Sequence, residues 1–255
     1  MKRRLLLLVA IVGTALMAVS CNAKQNYNND ISPDTPDPTV AHKGPKAVFI
    51  GDSITWQWGL VTRKLSDKQK QGVVIPDPVP SWMKISGDDI EITWHASFFT
   101  QNNYVDKGVS GQRTDEMLAR YQTDVLSLDP SCVVIMGGTN DLAQGRTKDQ
   151  ILANLKSMAE QAAAKNMKVV LCSVTPCNMT YSQLTPHEKG PHIVALNKMI
   201  KEYAAEKGFT YCDYYPALVA ADGYSLKDEY CLYDKLHPNP DAYTVMEEII
   251  QKILK

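Results

Sequence analysis

The stretch AVFIGDSIT, residues 47–55, is a short apolar run that ends in a glycine and a polar turn. Residues 47–50 predict a buried strand, and Gly51 allows the backbone to turn directly after it. Ser53 then falls at the carboxyl end of that strand, which is where open α/β sheets bind their ligands. Taken alone the pattern is common, and capping of the next helix is the more frequent role for such a serine.

The rest of the chain continues this alternation of short apolar runs with longer amphipathic stretches. Such alternation predicts parallel strands joined by covering helices, and therefore a single domain with an α/β fold. Five strands are predicted, at residues 47–50, 104–109, 132–136, 169–173 and 209–212. Apolar residues at three- and four-residue spacing predict core-facing helices over 147–164 and 193–205. A last helix is predicted to begin after Pro240, with Asn239 or Asp241 near its start.

Two more of the predicted strands end in glycine-bearing turns. Residues 107–114, KGVSGQRT, put Gly111 where its backbone N–H could point outward, and residues 136–141, MGGTND, add the side-chain amide of Asn140. Both would be hydrogen-bond donors at the edge of the sheet that carries Ser53. A glycine after a strand usually serves turn geometry, and an asparagine in a turn usually bonds local backbone, so neither block is specific by itself.

A fourth block, DKLHPN at residues 234–239, lies just ahead of the last helix. An aspartate three residues before a histidine can fold back so that its carboxylate accepts from the ring Nδ1–H. This fixes the tautomer and leaves Nε2 as a base. Asp234 and His237 therefore form a candidate acid–base pair, although an isolated pair at this spacing is common in loops.

The four blocks in this order resemble those of the GDSL/SGNH hydrolases, from about residue 47 to the end of the chain. The resemblance implies a flavodoxin-like, three-layer α/β/α fold with a central parallel sheet of about five strands. It also implies a catalytic triad of Ser53, His237 and Asp234. The oxyanion hole would consist of the backbone N–H groups of Ser53 and Gly111 and the amide of Asn140. Ester hydrolysis through an acyl-enzyme is expected, with no metal or organic cofactor.

These residues do not specify the substrate, because family members cleave several kinds of ester with the same residues. We expect short-chain esters, acetyl groups in particular, on carbohydrates. Two alternatives remain: a lipase or phospholipid acylhydrolase, and a catalytically silent glycan-binding lipoprotein on the same fold.

The first residues have the features of an export signal, predicted over 1–20: Lys2, Arg3 and Arg4 precede an apolar run that ends before Cys21. The small residues before Cys21 resemble a bacterial lipobox, so we predict lipidation of Cys21 and a protein of the bacterial cell envelope, facing the periplasm or the cell surface. An ordinary cleaved signal with a chance cysteine is the alternative. The polar, proline-bearing stretch 21–45 predicts a flexible tether, and 46–255 the hydrolase domain.

The stretch 60–99 separates the first two blocks more widely than is usual in the family. Its polar run and its three clustered prolines exclude a long helix or a central strand there, and a two-stranded segment is predicted around residues 90–94. We predict an insertion, which is either a surface excursion or a wall or lid beside the active site. Trp56, Trp58, Phe98 and Phe99 could line a substrate pocket, although burial in the core is at least as frequent for such residues.

Composition narrows the range of partners. A formal net charge of -1 leaves no basic excess to neutralise a phosphate backbone, so nucleic acid is not an expected partner. The membrane is expected to be contacted only through the lipid anchor, and the oligomeric state is not predicted. Five cysteines follow Cys21, so at least one must be unpaired, and none has the spacing of a zinc site.

Overall fold

The computed structural model describes residues 36, 39–71, 73–178 and 186–255. The predicted signal peptide at 1–20, Cys21 and most of the predicted tether lie outside these residues. Within the described part, no helix has the length and apolar character needed to cross a membrane. His42 Nδ1 lies 2.7 Å from Asp129 Oδ1, and Gly44 N donates to the carbonyl of Asp129 at 3.0 Å. Contacts with the folded domain therefore begin slightly before the predicted boundary at residue 46.

The described elements are short strands and helices that alternate along the chain. The strands are β1 (Ala47–Gly51), β2 (Thr62–Lys64), β3 (Met83–Ser86), β4 (Asp89–Thr93), β5 (Tyr104–Gly108), β6 (Cys132–Met136), β7 (Lys168–Cys172) and β8 (Thr210–Cys212). The helices are α1 (Ser53–Trp58), α2 (Asp67–Lys70), α3 (Ala96–Gln101), α4 (Thr114–Asp124), α5 (Thr139–Ala143), α6 (Lys148–Ala163), α7 (Pro186–Lys207), α8 (Tyr215–Leu218) and α9 (Pro240–Leu254). Single 3₁₀ turns occur at Leu126–Leu128 and Asp228–Tyr230.

A parallel sheet of five strands, in the order β5-β1-β6-β7-β8, forms the centre of the domain. Successive residues of its strands enter different apolar clusters, so that Phe49 and Val134 face one side while Val48 and Ile135 face the other. Helices α1, α3 and α9 cover the first face, and α4, α6 and α7 cover the second. The predicted three-layer α/β/α fold is confirmed, and its strands are apolar throughout because both faces are buried.

The predicted strands of this sheet all occur, and each end lies within one residue of its predicted position. Side chains cap the two helices that follow the predicted pattern best: Thr147 Oγ1 accepts from Gln150 N at 3.2 Å, and Asn239 Oδ1 accepts from Ala242 N at 3.0 Å. Helix α7 begins at Pro186, earlier than the predicted residue 193. The pattern missed this start because glycine and proline, which occur at 190 and 191, ordinarily interrupt helices.

The described residues contain no disulfide bond among their cysteines, which are Cys132, Cys172, Cys177, Cys212 and Cys231. Cys132 in β6 and Cys172 in β7 are buried within the sheet. Burial raises the pKa of Cys132 to about 12, so this thiol stays protonated at neutral pH and behaves as a small apolar side chain.

The predicted insertion at 60–99 folds into a second, antiparallel sheet in the order β2-β4-β3. The predicted two-stranded segment around residues 90–94 is the β3-β4 pair. The structure adds β2, a polar strand of three residues that is too short to show an alternating pattern. Its Thr62 pairs with Thr93 of β4. The sheet packs its apolar side toward α9, where Trp94 contacts Tyr243 edge to face, with ring centroids 6.0 Å apart. The insertion is therefore attached to the last helix.

Three of the four aromatic residues predicted for a pocket are core residues. Trp58, Phe98 and Phe99 are buried, and Trp58 stacks on Phe98 with ring centroids 5.2 Å apart. Phe49 of β1 meets the ring of Trp58 edge to face at 5.7 Å. These three side chains fill the space between β1 and the covering helices, so the pocket prediction is corrected for them. Trp56 alone is partly exposed, with the guanidinium of Arg63 5.8 Å from its ring centroid.

Candidate active site

Ser53 is the first residue of α1, directly after the turn that ends β1. The residue before it, Asp52, caps the helix, since its Oδ1 accepts from Ile54 N at 2.9 Å. The hydroxyl of Tyr243 donates to the carbonyl of Ile54 at 2.7 Å and so ties α9 to the same turn. Both Asp52 and Ser53 are buried, so the turn that carries the predicted nucleophile is held from two sides.

His237 and Asp234 reach Ser53 from the far end of the chain. His237 Nε2 lies 2.8 Å from Ser53 Oγ, and His237 Nδ1 lies 2.6 Å from Asp234 Oδ2. With the Nδ1 proton donated to the carboxylate, Nε2 is the acceptor for the serine hydroxyl. The structure therefore brings together the three residues predicted as a triad, in the order hydroxyl, imidazole, carboxylate.

The carboxylate of Asp234 is held by its own loop. Its Oδ1 accepts from the backbone N–H of Leu236 at 3.0 Å and of His237 at 2.9 Å. Burial raises the pKa of Asp234, but the hydrogen bond and charge of His237 and the two backbone donors outweigh it, and the net pKa is lowered. Asp234 is therefore ionised at neutral pH and can stabilise a protonated imidazole.

Two of the predicted oxyanion donors, Gly111 and Asn140, follow the strands β5 and β6 that flank β1. Gly51 pairs with Gly108 of β5 on one side and with Met136 of β6 on the other. Ser53, Gly111 and Asn140 thus come from turns after three adjacent strand ends. Gly111 has a φ of 81°, a left-handed conformation that favours glycine.

Asn140 is oriented by a backbone contact. Its Nδ2 donates to the carbonyl of Gln112 at 2.9 Å, which uses one of the two amide hydrogens and fixes the plane of the side chain. The residue after it, Asp141, is buried and accepts from Thr114 Oγ1 at 2.6 Å and from Thr114 N at 3.0 Å. These bonds join the start of α5 to the start of α4.

The carboxyl ends of β1, β5 and β6, with the turns that follow them, form the rim of the sheet. Arg120 is a further residue of this rim, and the sequence pattern did not identify it. Its Nε donates to Gln112 Oε1 at 2.6 Å, its Nη2 to the carbonyl of Gly51 at 3.1 Å and its Nη1 to Asp124 Oδ2 at 2.8 Å. One guanidinium therefore joins the end of β1 to the turn that carries Gly111 and holds Asn140. Its position on α4 is a surface position by pattern, so no sequence signal marks it.

The tight spacing of the rim also depends on Gly108. A Cβ at this position would overlap the backbone nitrogen of Trp56, so only glycine lets α1 pack this closely against the end of β5.

Asp52 lies in the turn before Ser53, and burial raises its pKa to about 6. The hydrogen bond from the N–H of Ile54 and the charge of His237 lower this pKa but do not outweigh the burial.

The sequence model of the GDSL-like lipase/acylhydrolase family matches residues 49–245. The chain belongs to this family. A GDSL-like lipase from Bacteroides thetaiotaomicron has a similar structure, 29% identical, with a TM-score of 0.64 over 82% of this chain and 86% of that one. An acetylxylan esterase from Geobacillus stearothermophilus, 18% identical, shares the fold with a TM-score of 0.57 over 84% of this chain and 95% of the other.

One curated protein matches a shorter part of this chain. The uncharacterized lipoprotein YqeF of Bacillus subtilis (strain 168) is 35% identical over 75 residues. That stretch is 27% of this chain and 31% of the relative. The match thus spans about a third of the relative's length.

Proposed function

We propose that this protein is a serine esterase that hydrolyses short-chain carboxylic esters, with acetyl groups on carbohydrates as its preferred substrates. The observation that carries the proposal is the pair of contacts on His237, 2.8 Å to Ser53 Oγ and 2.6 Å to Asp234 Oδ2. A nucleophile in contact with a base, which is itself oriented by a carboxylate, is the arrangement that acyl transfer requires.

In the proposed mechanism His237 Nε2 takes the hydroxyl proton as Ser53 Oγ attacks the ester carbonyl. The N–H groups of Ser53 and Gly111 and the amide of Asn140 donate to the oxyanion of the tetrahedral intermediate. Collapse of this intermediate breaks the bond to the alcohol, which leaves with the proton from His237. Water, deprotonated by His237, then attacks the acyl-serine and releases the carboxylic acid and the free hydroxyl. No metal or organic cofactor takes part in this route.

The test of the nucleophile is reaction with a fluorophosphonate probe, together with hydrolysis of p-nitrophenyl acetate. We expect wild type to be labelled, and Ser53→Ala to lose labelling and turnover on the order of a million-fold. Ser97→Ala, an exposed serine of α3, is the matched control. A wild-type protein that neither reacts nor turns over any ester would instead favour the silent glycan-binding alternative.

A longer acyl chain is a second candidate, favoured by a separate cavity. It has a volume of about 330 Å³, and its lining includes Thr139, which precedes Asn140, together with Leu142 and Ile193. Apolar residues beside a donor of the oxyanion hole could hold a fatty acyl group. A series of p-nitrophenyl esters from acetate to decanoate separates the two: the proposal expects kcat/KM to fall with length, and a lipase would show the reverse.

We further propose that the protein is exported and anchored to the bacterial cell envelope through a lipid on Cys21, its only contact with membrane. The lipobox-like sequence before Cys21 and the lipoprotein name of the Bacillus subtilis relative support this. Globomycin should cause the unprocessed precursor to accumulate, and Cys21→Ala should release the protein from the membrane fraction. Membrane retention of Cys21→Ala would contradict the anchor.

A further inference from the structure

A cleft of about 650 Å³ opens between the insertion and the segment that carries Asp234 and His237. Its volume is within the range of small-ligand sites. The insertion contributes one wall, through the proline-bearing stretch 73–80 and Trp82, and residues between Asp228 and Asp241 form the other. The cleft therefore exists only because this chain carries the insertion.

The second wall includes residues 233 and 235 of the loop 233–237, called the acid–base loop because it carries Asp234 and His237. Tyr233 and Lys235, which line the cleft, are the neighbours of Asp234 in sequence. Asn239 also lines it and donates from Nδ2 to the carbonyl of Glu229 at 2.7 Å, which closes this segment on itself. A molecule in the cleft would therefore contact the loop that holds His237 against Ser53.

Two aromatic side chains line the cleft. The indole N–H of Trp82 donates to Asp241 Oδ2 at 2.8 Å, so the plane of the ring is fixed against the start of α9. Both Trp82 and Tyr233 are partly exposed. A pyranose ring has an apolar C–H face that packs on such rings and a rim of hydroxyl groups that need hydrogen-bond partners.

The polar groups of the cleft are mostly carboxylates. Asp77, Glu229, Asp228 and Asp241 line it together with a single amine, that of Lys235, which lies 3.5 Å from Asp228 Oδ1. Carboxylates accept hydrogen bonds from hydroxyl groups and repel anions. No group of three or more His, Cys, Asp or Glu side chains in the described part of the chain could hold a metal ion. The lining thus disfavours an anionic ligand and offers hydrogen-bond acceptors to a hydroxyl-rich one.

We propose that this cleft is a binding subsite for a neutral oligosaccharide, and that it holds the glycan part of the ester substrate beside the acid–base loop. This rests on the proposed esterase function for the role of the subsite in turnover, but binding itself needs no catalysis. The insertion would then act as the specificity element of the enzyme.

The test is calorimetric titration of the Ser53→Ala protein with unsubstituted xylohexaose, cellohexaose and mannohexaose, and with hexagalacturonate as the anionic counterpart. We expect at least one neutral hexasaccharide to bind with a Kd below about 1 mM and hexagalacturonate to bind at least tenfold more weakly. Trp82→Ala, made in the same background, should weaken binding at least tenfold. Trp82→Phe, which keeps an aromatic face, should retain most of it. Ile85→Ala, an exposed position of β3 outside the cleft, is the control.

Three results would overturn the subsite: no neutral hexasaccharide binds, hexagalacturonate binds as well as they do, or Trp82→Ala binds like the parent protein. Tighter binding of hexaglucosamine, titrated alongside as the amine-bearing counterpart, than of every neutral hexasaccharide is a fourth result that would contradict it. The esterase proposal fails by a different result, the absence of probe labelling and ester hydrolysis in wild type, so the two failures are distinguishable.

Discussion

The two sheets of this molecule differ in how they are buried. Every residue of β1 and β6 in the parallel sheet is buried, whereas β2 has no buried residue, β3 has only Met83, and β4 has only Ile90 and Ile92. The parallel sheet is packed on both faces, and the antiparallel sheet on one. Residues that must keep fixed distances lie at the rim of the first, while the second can change its surface at little cost to the fold.

The largest expected difference between the two sheets is in their contribution to stability. Ile135→Ala in β6 and Ile92→Ala in β4 remove the same atoms from positions that are each 1% exposed. Ile135→Ala should lower the free energy of unfolding of the whole domain by about 4 kcal/mol, because the surrounding layers cannot close the cavity. Ile92→Ala should cost less, with loss of hydrogen-exchange protection confined to residues 62–93. Equal global destabilisation by both would contradict this contrast.

The stability contributed by a carboxylate beside Ser53 and that contributed by a carboxylate of the insertion should change with pH in opposite directions. Burial raises the pKa of Asp52 to about 6, so the folded state binds a proton more tightly than the unfolded state between about pH 4 and 6. Stability from Asp52 is therefore present at low pH and is lost as pH rises through this window. Asp52→Asn can still accept from Ile54 N. Relative to wild type, its free energy of unfolding should rise by about 3 kcal/mol between pH 4 and 7.

Asp89 of the insertion is the matched control for this measurement. The hydrogen bond from Lys64 lowers its pKa, so its contribution is present above the unfolded pKa and is lost as pH falls. Asp89→Asn should show a small effect of opposite sign in urea unfolding at pH 4, 5, 6 and 7. Parallel curves for wild type and Asp52→Asn would contradict the burial cost of Asp52.

Removal of a proposed oxyanion donor should act on kcat alone. Asn140→Ala is expected to lower kcat for p-nitrophenyl acetate about a hundredfold, because the donor acts where charge develops in the transition state. Asn102→Ala, which removes an amide that donates to the carbonyl of Phe98 beside the insertion, is the control and should leave kcat within about twofold of wild type. A similar loss in both variants would indicate general damage to the fold.

The smallest expected effect is that of Arg120, a positioning residue. Arg120→Ala should lower kcat about tenfold with KM and melting temperature nearly unchanged, because the turns of Gly111 and Asn140 lose their link to β1. Arg120→Lys keeps the charge without the fork and should recover only part of the loss. Lys64→Ala in the insertion, which breaks the ion pair with Asp89, should leave kcat unchanged. A shift in KM instead of kcat would contradict the positioning role.

The sequence predicted the whole parallel sheet but only part of the insertion, and the reason is physical. Runs such as 132–136 are apolar throughout because both faces are buried, and this pattern is local enough to read directly. The polar strand β2 exists only through its pairing with β4, which no local pattern encodes. The aromatic residues Trp58 and Phe98 could have lined a pocket or filled the core, and only the arrangement of the helices decides that they are buried.

The sequence by itself determined the fold class, the order of the four blocks and the residues able to carry acyl-transfer chemistry, because each depends on spacing along a few residues. Only the tertiary structure decided that Ser53 and His237, 184 positions apart, lie within hydrogen-bond distance, that Arg120 joins two turns of the rim, and that a cleft opens between the insertion and the segment that carries Asp234 and His237. These are contacts between distant segments, and they follow from the packing of whole elements against one another, which no short stretch of sequence specifies.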